Sequence, residues 1–225
     1  MILFTNGCSW TYGGGLNLDH LAQTEQRLQS VWPTHLGNLL GAEKVVNLAA
    51  GCGSNQRTAR TTYDWILKQS PEDLAKTVAI IQITEPSRYE LHIPREDNDP
   101  DAWIKCKIGV VTADKHRKDL TDFHWDYNST RLSLYSDIEG VYSVLNYCQS
   151  LTNLFKNFNI RHHFWNGGFF NHREQIVPPT ISNYFEQSVN WFNNDAWQYQ
   201  RISQGDQHPS FEGHKEIAKL MFENM

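Results

Sequence analysis

Short apolar runs recur along the chain and predict buried β-strands. Residues 2–5, 44–48 and 160–165 each combine aliphatic or aromatic side chains over the length of a strand. Residues 77–84 give the clearest pattern, because they are rich in β-branched residues and almost continuously apolar, which is typical of a strand covered on both faces of a parallel sheet. We therefore predict that residues 77–84 form the central strand.

Amphipathic segments separate these runs and predict helices at residues 31–40, 54–68, 138–158 and 211–222. Ser30 is a candidate N-cap for the first of these helices, and Gly41 is its expected stop. Strands that alternate with helices are typical of a parallel sheet with helices on both faces. The sequence therefore predicts the α/β class.

Residues 85–137 interrupt this alternation after the third strand. The segment carries mixed charges, the prolines Pro94 and Pro100, and several aromatic side chains. A structureless loop of that length is uncommon in a compact domain, so we predict an insertion with some strand or helix of its own. At the carboxyl edge of an open α/β sheet, where ligands bind, it is interpreted as a lid or a substrate wall. An oligomer contact or a surface excursion is the open alternative.

Composition narrows the picture to one domain. The 225 residues, 40% of them hydrophobic, suffice for one core, and no linker divides them, so residues 1–225 are predicted to form a single domain. A net charge of -5 with scattered Lys and Arg argues against a nucleic-acid partner. No apolar run approaches the roughly 20 residues that span a bilayer, and no signal peptide is apparent. We expect no membrane partner and a cytoplasmic location, with the oligomeric state open.

Cysteines, histidines and glycines give no metal or nucleotide pattern. The cysteines are Cys8, Cys52, Cys106 and Cys148. They form no CxxC pair, so neither a disulfide framework nor a zinc site is predicted. His162 and His163 are adjacent on a predicted strand and point to opposite faces, so they cannot hold one metal together. The run from Gly13 to Gly15 lacks the lysine of a phosphate loop. We therefore expect no metal and no cofactor.

The candidate chemistry lies in two segments far apart in sequence. Ser9 follows the first predicted strand, and Asp206 and His208 share a polar loop before the last predicted helix. A serine hydroxyl becomes a nucleophile when an imidazole takes its proton, and a carboxylate fixes the tautomer of that imidazole. The three side chains therefore predict a serine hydrolase. Two alternatives stay open: Ser9 as a turn or helix-capping residue, and Cys8 as the nucleophile.

The motif around Ser9 differs from the nucleophile elbow of the α/β-hydrolases, because Thr11 stands where that pattern needs its second glycine. Three segments instead resemble the conserved blocks of the SGNH (GDSL-like) hydrolase superfamily. They are Gly-Cys-Ser-x-Thr-x-Gly at 7–13, Asn-Leu-Ala-Ala-Gly-Cys-Gly-Ser-Asn at 47–55, and Asp-x-His-Pro-Ser-x-x-Gly-His at 206–214. The blocks match in order and position, which makes their joint occurrence more specific than any one alone.

The resemblance implies a three-layer α/β/α, flavodoxin-like sandwich of about five parallel strands that hydrolyses esters through an acyl-enzyme. Ser9 matches the nucleophile, His208 the general base and Asp206 the carboxylate that orients the base. The backbone N–H groups of Ser9 and of Gly51 or Gly53 match the oxyanion hole, where donors face the developing negative charge. The alternative for both glycines is a tight strand-to-helix turn.

The chain departs from the family pattern in two places. The family's third block is Gly-x-Asn-Asp, whose asparagine completes the oxyanion hole, but residues 83–88 read Ile-Thr-Glu-Pro-Ser-Arg. Asn55 is the favoured replacement for that donor. The alternatives are Thr84, Ser87 and Arg88. The second departure is that Asp206 stands two residues before the histidine rather than three, which leaves a Ser-His dyad open.

Trp165 and Asn166 end the last predicted strand at the same edge. Aromatic faces pack on the C–H surfaces of sugars while amides reach the hydroxyl groups, so this segment is interpreted as a sugar-binding wall, with core packing as the alternative. Together with Trp10 and Arg88, these two residues are predicted to bind substrate. The predicted substrate is a small-molecule or glycan ester with a small acyl group, acetyl above all. A catalytically vestigial carbohydrate-binding or structural module is the open alternative, and hydrolysis versus acyl transfer is undecided.

Overall fold

The structure is a computed structural model that describes residues 1–16, 23–92, 103–107, 127, 130–131, 133–166 and 199–225. Its strands are β1 (Ile2–Asn6), β2 (Lys44–Asn47), β3 (Thr77–Gln82), β4 (Arg88–His92), β5 (Trp103–Lys107) and β6 (Arg161–Trp165). The described part of the main sheet has four parallel strands in the order β2-β1-β3-β6. The four predicted strands are therefore confirmed, and β1 and β3 occupy the interior of this sheet.

The helices follow the predicted alternation. They are α1 (Ser9–Tyr12), α2 (Gln23–Ser30), α3 (Trp32–Leu39), α4 (Asn55–Ile66), α5 (Pro71–Ala75), α6 (Asp137–Asn157) and α7 (Phe211–Glu223). One predicted cap is wrong. Ser30 is the last residue of α2 and donates its hydroxyl to the Gln26 carbonyl at 2.8 Å, as a serine inside a helix does. The N-cap of α3 is Val31, which makes no side-chain cap hydrogen bond.

Alternate side chains of the strands face opposite layers of helices. Phe4, Ala79 and Ile81 pack with α4, α5 and α6, whereas Leu3 and Ile80 pack with α3 and α7. Every residue of β1 and β3 is buried, as expected for inner strands covered on both faces. The result is the predicted α/β/α sandwich, and it leaves the carboxyl ends of the parallel strands at one edge.

The predicted insertion contains strands of its own. β4 and β5 form an antiparallel pair, in which Arg88 lies opposite Lys107 and His92 opposite Trp103, and β4 packs on α4. Residues 93–102 and 108–126 lie outside the described part of the chain, so the interpretation as a lid or wall stays a prediction. None of the described helices has the length and apolar character needed to cross a bilayer.

Candidate active site

The candidate site begins at the carboxyl end of β1, where the chain turns sharply into α1. Gly7 makes this turn with a φ of +153°. A Cβ atom there would lie 2.5 Å from the Cβ of Gln82 on β3, so both the backbone angle and the space require glycine. The side chain of Asn6 fixes the strand end, because its Oδ1 accepts the Gly7 N–H at 2.9 Å while its Nδ2 donates to α4. The turn thereby carries Ser9 to the edge of the sheet.

A buried glutamine on β3 holds the same turn from the other side. Oε1 of Gln82 accepts the backbone N–H groups of Cys8 at 3.3 Å and Thr11 at 3.2 Å, and also the Thr11 hydroxyl at 2.7 Å. Gln82 is completely buried. Sequence analysis missed this residue, although a polar side chain ending an otherwise apolar strand was an available signal, since buried polar groups need partners.

Ser9, His208 and Asp206 form a continuous hydrogen-bonded chain. Nε2 of His208 lies 2.9 Å from Oγ of Ser9, and Nδ1 of the same ring lies 2.6 Å from Oδ1 of Asp206. An ionised carboxylate only accepts hydrogen bonds, so Nδ1 carries the proton and the lone pair of Nε2 faces the serine hydroxyl. This geometry suits proton transfer from serine to histidine. The structure thus brings together the three residues predicted for catalysis, whose roles stay a prediction.

The Asp206 carboxylate is stabilised in its ionised form by the loop around it. It accepts the backbone N–H of His208 at 3.0 Å as well as the ring N–H, and these hydrogen bonds lower the pKa of Asp206 below its usual value. The backbone N–H of Asp206 donates to Oγ of Ser203 at 3.1 Å, which closes the loop. A spacing of two residues is therefore enough for the carboxylate to contact the imidazole.

The loop that carries His208 is anchored on both sides. The N–H of Ile202 donates to the His208 carbonyl at 3.0 Å, and the N–H of Ser210 donates to the Gln200 carbonyl at 2.9 Å. Ser210 also caps α7, because its Oγ accepts the N–H of Gly213 at 3.1 Å. These contacts fix the position of the imidazole at the start of α7.

A run of glycines after α1 lies against the three side chains. A Cβ on Gly14 would lie 2.9 Å from the Cβ of Ser9 and 3.2 Å from Nε2 of His208. A Cβ on Gly15, whose φ is +80°, would lie 3.1 Å from Oδ2 of Asp206. The run was considered only as an unmatched phosphate loop in the sequence, but its small size makes room for the imidazole and carboxylate.

The loop between β2 and α4 lies against the turn that carries Ser9. A Cβ on Gly53 would lie 2.8 Å from the Gly7 carbonyl oxygen, so the two loops meet through bare backbone. The prediction of Gly53 as an oxyanion donor needs correction, because its N–H donates to the Ala50 carbonyl at 3.0 Å and closes a tight turn. The N–H groups of Ser9 and Gly51 have no acceptor among the described residues, and they are the candidate donors.

Asn55 does not replace the missing asparagine in the way the sequence predicted. Its Oδ1 accepts the N–H of Thr84 and its Nδ2 donates to the carbonyl of the same residue, both at 2.9 Å. The side chain is buried and joins the start of α4 to the loop after β3. These bonds use the oxygen and one of the two N–H groups of the amide, so Asn55 braces two loops of the site.

Of the alternatives to Asn55, the buried hydroxyl of Thr84 has no hydrogen-bond partner within the described ranges and stays a candidate donor, whereas Ser87 and Arg88 are engaged elsewhere. Ser87 donates its hydroxyl to Oε1 of Glu85 at 2.9 Å, and the guanidinium of Arg88 lies 3.7 Å from the same carboxylate. Arg88 also lines a cavity of about 180 Å³ between the segment after β3 and α6. Other residues that line the cavity are Gln56, Tyr89, Arg131, Tyr135 and Ser143. A role of Arg88 in substrate binding stays a prediction.

Two of the predicted substrate-binding residues lie in the core. Trp165 is completely buried, and Trp10 is 8% exposed. Their ring centroids are 6.3 Å apart, and their cluster continues through Trp32 and Tyr199. Neither ring is therefore available to stack on a sugar, which corrects the predicted wall. Asn166 is buried, and residues 167–170, which follow it, lie outside the described part of the chain.

The two cysteines of the site loops differ in exposure. Cys8 is completely buried in the apolar cluster beneath α3 and α7, which argues against Cys8 as the nucleophile. Cys52 is exposed and has a φ of +58°. Across the described ranges, no group of three or more His, Cys, Asp or Glu side chains is placed to hold a metal ion.

One family model and several solved structures resemble this chain. A model described as a family of unknown function, DUF6071, matches residues 17–139, which is more than half of the chain. The matched range includes the β2–α4 loop and the β4–β5 pair, whereas Ser9, Asp206 and His208 lie outside it. A comparison with curated proteins finds no match.

Solved structures share the fold at low sequence identity. A protein from Desulfitobacterium hafniense, described as lipolytic and of the G-D-S-L family, has a TM-score of 0.54 and 12% identity over 100% of this chain and 99% of its own. Esterase EstA from Pseudoalteromonas sp., in a structure inhibited by monoethylphosphonate, has a TM-score of 0.52 and 10% identity over 99% of this chain and 94% of its own. The acetyl xylan esterase Est2A from Butyrivibrio proteoclasticus has a TM-score of 0.54 and 14% identity over 99% of this chain and 62% of its own. The chain therefore has an SGNH hydrolase fold.

Proposed function

We propose that this chain, which belongs to the family of unknown function DUF6071, is a serine esterase that hydrolyses a small acyl ester through an acyl-enzyme. One fold supports many activities, so the side chains carry the proposal. The observation on which it depends is the unbroken chain of hydrogen bonds from Asp206 through His208 to Ser9, at 2.6 and 2.9 Å. Its place at the carboxyl edge of a parallel sheet supports the same function.

The acylation step uses each of the three side chains once. Oγ of Ser9 attacks the ester carbonyl carbon while its proton passes to Nε2 of His208. The ionised Asp206 stabilises the imidazolium through the Nδ1–H hydrogen bond. When the tetrahedral intermediate collapses, the carbon–oxygen bond to the alcohol breaks, and the imidazolium gives its proton to the departing oxygen. The acyl group is then bound to Ser9 as an ester.

The deacylation step repeats this chemistry with water. His208 removes a proton from a water molecule that attacks the acyl carbon, and the proton returns to Oγ of Ser9 as the acid leaves. Acyl transfer to another alcohol follows the same steps. In both stages the developing oxyanion is stabilised by the N–H groups of Ser9 and Gly51, each such donor being typically worth about 3 kcal/mol in the transition state.

An acetyl ester is the proposed substrate, and an acetylated carbohydrate is its proposed form. The tight packing of Gly14 on Ser9 and His208 supports a compact space around the nucleophile. Because Trp10 and Trp165 are core residues, they offer no support for the carbohydrate part. The carbohydrate part is supported by the likeness in fold to the acetyl xylan esterase. The alcohol or glycan that carries the acyl group is to be identified by screening.

Labelling with a fluorophosphonate tests the proposal directly. We expect the wild-type protein to gain one phosphonyl group in intact-mass spectrometry, because only an activated serine displaces fluoride from this reagent at a useful rate. Ser9→Ala and His208→Ala are expected to remain unlabelled under the same conditions. Ser30→Ala, which changes a serine at the end of α2, serves as the control and is expected to label like the wild type.

Hydrolysis of 4-nitrophenyl acetate by the same four proteins completes the test. Activity in wild type and in Ser30→Ala, with loss in the other two, supports an acyl-enzyme on Ser9. A folded wild-type protein that neither labels nor hydrolyses would overturn the proposal and favour the vestigial binding module. Full activity in Ser9→Ala would exclude Ser9 as the nucleophile.

A further inference from the structure

The β4–β5 pair reaches the loop that carries a candidate oxyanion donor. Nζ of Lys105, on β5, donates to the carbonyl oxygen of Gly51 at 3.1 Å. The pair belongs to the segment between β3 and α6, and Gly51 lies between β2 and α4. A single side chain therefore connects an element outside the main sheet to the loop beside Ser9.

The bond fixes the direction of a peptide in a strained part of that loop. The Gly51 carbonyl belongs to the planar peptide that joins Gly51 to Cys52, whereas the candidate donor, the Gly51 N–H, belongs to the peptide before it. The Lys105 bond therefore holds Gly51, the residue that carries the donor, from its carboxyl side. Cys52 has a φ of +58°, a left-handed conformation that is unfavourable for a residue other than glycine. Such a conformation persists only where its surroundings hold it. The described restraints on the loop include the Lys105 bond, the turn closed by Gly53, and the bond from the Ala50 N–H to the Gly7 carbonyl.

Lys105 is itself held by a buried group of charges. Glu90 lies opposite Lys105 in the pairing of β4 with β5, and its side chain is only 1% exposed. Arg60 of α4 contacts this carboxylate at 3.0 Å, and Arg57 approaches it at 3.7 Å. The guanidinium of Arg60 also lies over the ring of Trp103 at 4.2 Å. These contacts dock the strand pair, and with it the backbone of Lys105, on α4.

Burial makes the Lys105 ammonium group easier to deprotonate. It lowers the pKa of Lys105, and the nearby Arg57 lowers that pKa further, whereas Cys52 and Glu90 act in the opposite direction. A half-buried ammonium that donates to the Gly51 carbonyl makes a charge-assisted hydrogen bond, which is stronger than a bond between neutral groups. Its contact with the loop is therefore suited to positioning.

We propose that Lys105 is a positioning residue that orients the Gly51–Cys52 peptide and so sets the oxyanion loop for catalysis. The inference rests on the proposed esterase function. It also gives the inserted β4–β5 pair a role in the reaction, because the pair supports the oxyanion loop through Lys105. Because Lys105 acts through Gly51, its effect falls on the transition state more than on substrate binding.

Substitution of Lys105 tests the inference. Lys105→Met removes the donor and keeps the aliphatic part of the side chain. We expect kcat for 4-nitrophenyl acetate to fall roughly tenfold or more while KM changes less than twofold, as loss of oxyanion positioning predicts. Lys105→Arg keeps a charged donor and is expected to recover most of kcat. Lys105→Gln, whose amide is one bond too short, is expected to lose as much as Lys105→Met and replaces it if the apolar side chain prevents folding. Lys44→Met, on the exposed start of β2, is the control.

The outcomes separate this inference from the proposed function. If the wild type is inactive and unlabelled, the proposed function fails. If the wild type is active, wild-type kcat in folded Lys105→Met or Lys105→Gln, a loss confined to KM, or no recovery in Lys105→Arg would each overturn the positioning role. A kcat loss equal in Lys44→Met would also overturn it. Thermal melting of every variant verifies that the comparison is between folded proteins.

Discussion

Gly14 shows how closely the site is packed at the scale of one residue. The hydrogen atom where a Cβ would stand faces both Ser9 and His208, whose Nε2 would be 3.2 Å from that carbon. Contacts of 3.0–3.4 Å force a neighbour to shift by a few tenths of an ångström, and 2.9 Å to the Ser9 Cβ forces more. One of these atoms, Nε2 of His208, shares a proton with the Ser9 hydroxyl, and the other is the carbon that carries this hydroxyl.

Gly14→Ala is expected to slow phosphonate labelling at least tenfold, since misplacement by about 1 Å can cost roughly 100-fold in rate. Gly205→Ala is the matched control, because a Cβ there meets nothing within 4 Å. Its labelling rate is expected to equal that of the wild type. Equal labelling of both variants would contradict the idea that Gly14 makes room for the imidazole.

The triad residues and the glycine run also show the limits of sequence at this scale. The order of residue types around Ser9 and His208 was enough to predict which side chains meet. The contact of Gly14 with them depends on how two loops approach in space, which no local spacing reveals. Asn55 illustrates the opposite error, because its position after the glycine loop predicted a donor, whereas tertiary pairing with Thr84 engages its amide.

At the scale of elements, β3 and α1 are joined through Gln82. One oxygen atom satisfies three buried donors of the turn that follows β1. Removal of a shared acceptor leaves each donor unpaired in a buried place, at roughly 1–3 kcal/mol apiece. The turn that carries Ser9 therefore depends on a side chain from the neighbouring strand.

Gln82→Leu is expected to lower the free energy of unfolding by about 3 kcal/mol or more, measured by urea denaturation. Thr11→Val removes only one of the three donors, and we expect a loss of about 1 kcal/mol. A Gln82→Leu variant no less stable than Thr11→Val would show that the donors find other partners. Labelling at Ser9 is expected to fall further in Gln82→Leu than in Thr11→Val.

Elements were predictable where periodicity was strong. The four strands of the main sheet are short apolar runs, and burial on both faces leaves them little other choice. The β4–β5 pair mixes charged and aromatic residues such as Glu90 and Trp103, which gives no clear period, so only the presence of some structure was predicted. Trp165 was predicted to bind substrate because it ends a strand at the carboxyl edge of the sheet. The alternative, core packing, is the one that the structure shows, with Trp165 beside Leu3 and Ile80.

At the scale of the whole molecule, buried histidines link stability to pH. Burial lowers the pKa of His214 to about 3 and that of His163 to about 4, from an ordinary 6.5. Below pH 6.5 the unfolded chain binds protons that the folded chain excludes. The free energy of unfolding therefore falls with falling pH, by about 1.4 kcal/mol per pH unit for each such histidine, until the folded pKa is reached.

His214→Asn tests this link between packing and pH. Nδ1 of His214 accepts the N–H of Trp32 at the start of α3, and an asparagine oxygen can take over that hydrogen bond without titrating. We expect lower stability than the wild type at pH 7, because volume is lost, but a shallower decline between pH 6 and pH 4. Urea denaturation at four pH values measures both. If the free energy of unfolding falls between pH 6 and pH 4 as steeply in the variant as in the wild type, His214 is not a source of the pH dependence.

The hydrogen bond between Ser9 and His208 joins residues 199 positions apart. During synthesis the serine is made 199 residues before its base, and α7 must pack on α3 before the two meet. In the proposed mechanism a partly built or partly unfolded chain is therefore chemically silent. Covalent labelling of Ser9 would therefore measure the fraction of chains that have completed folding, and its time course would follow the last step of folding.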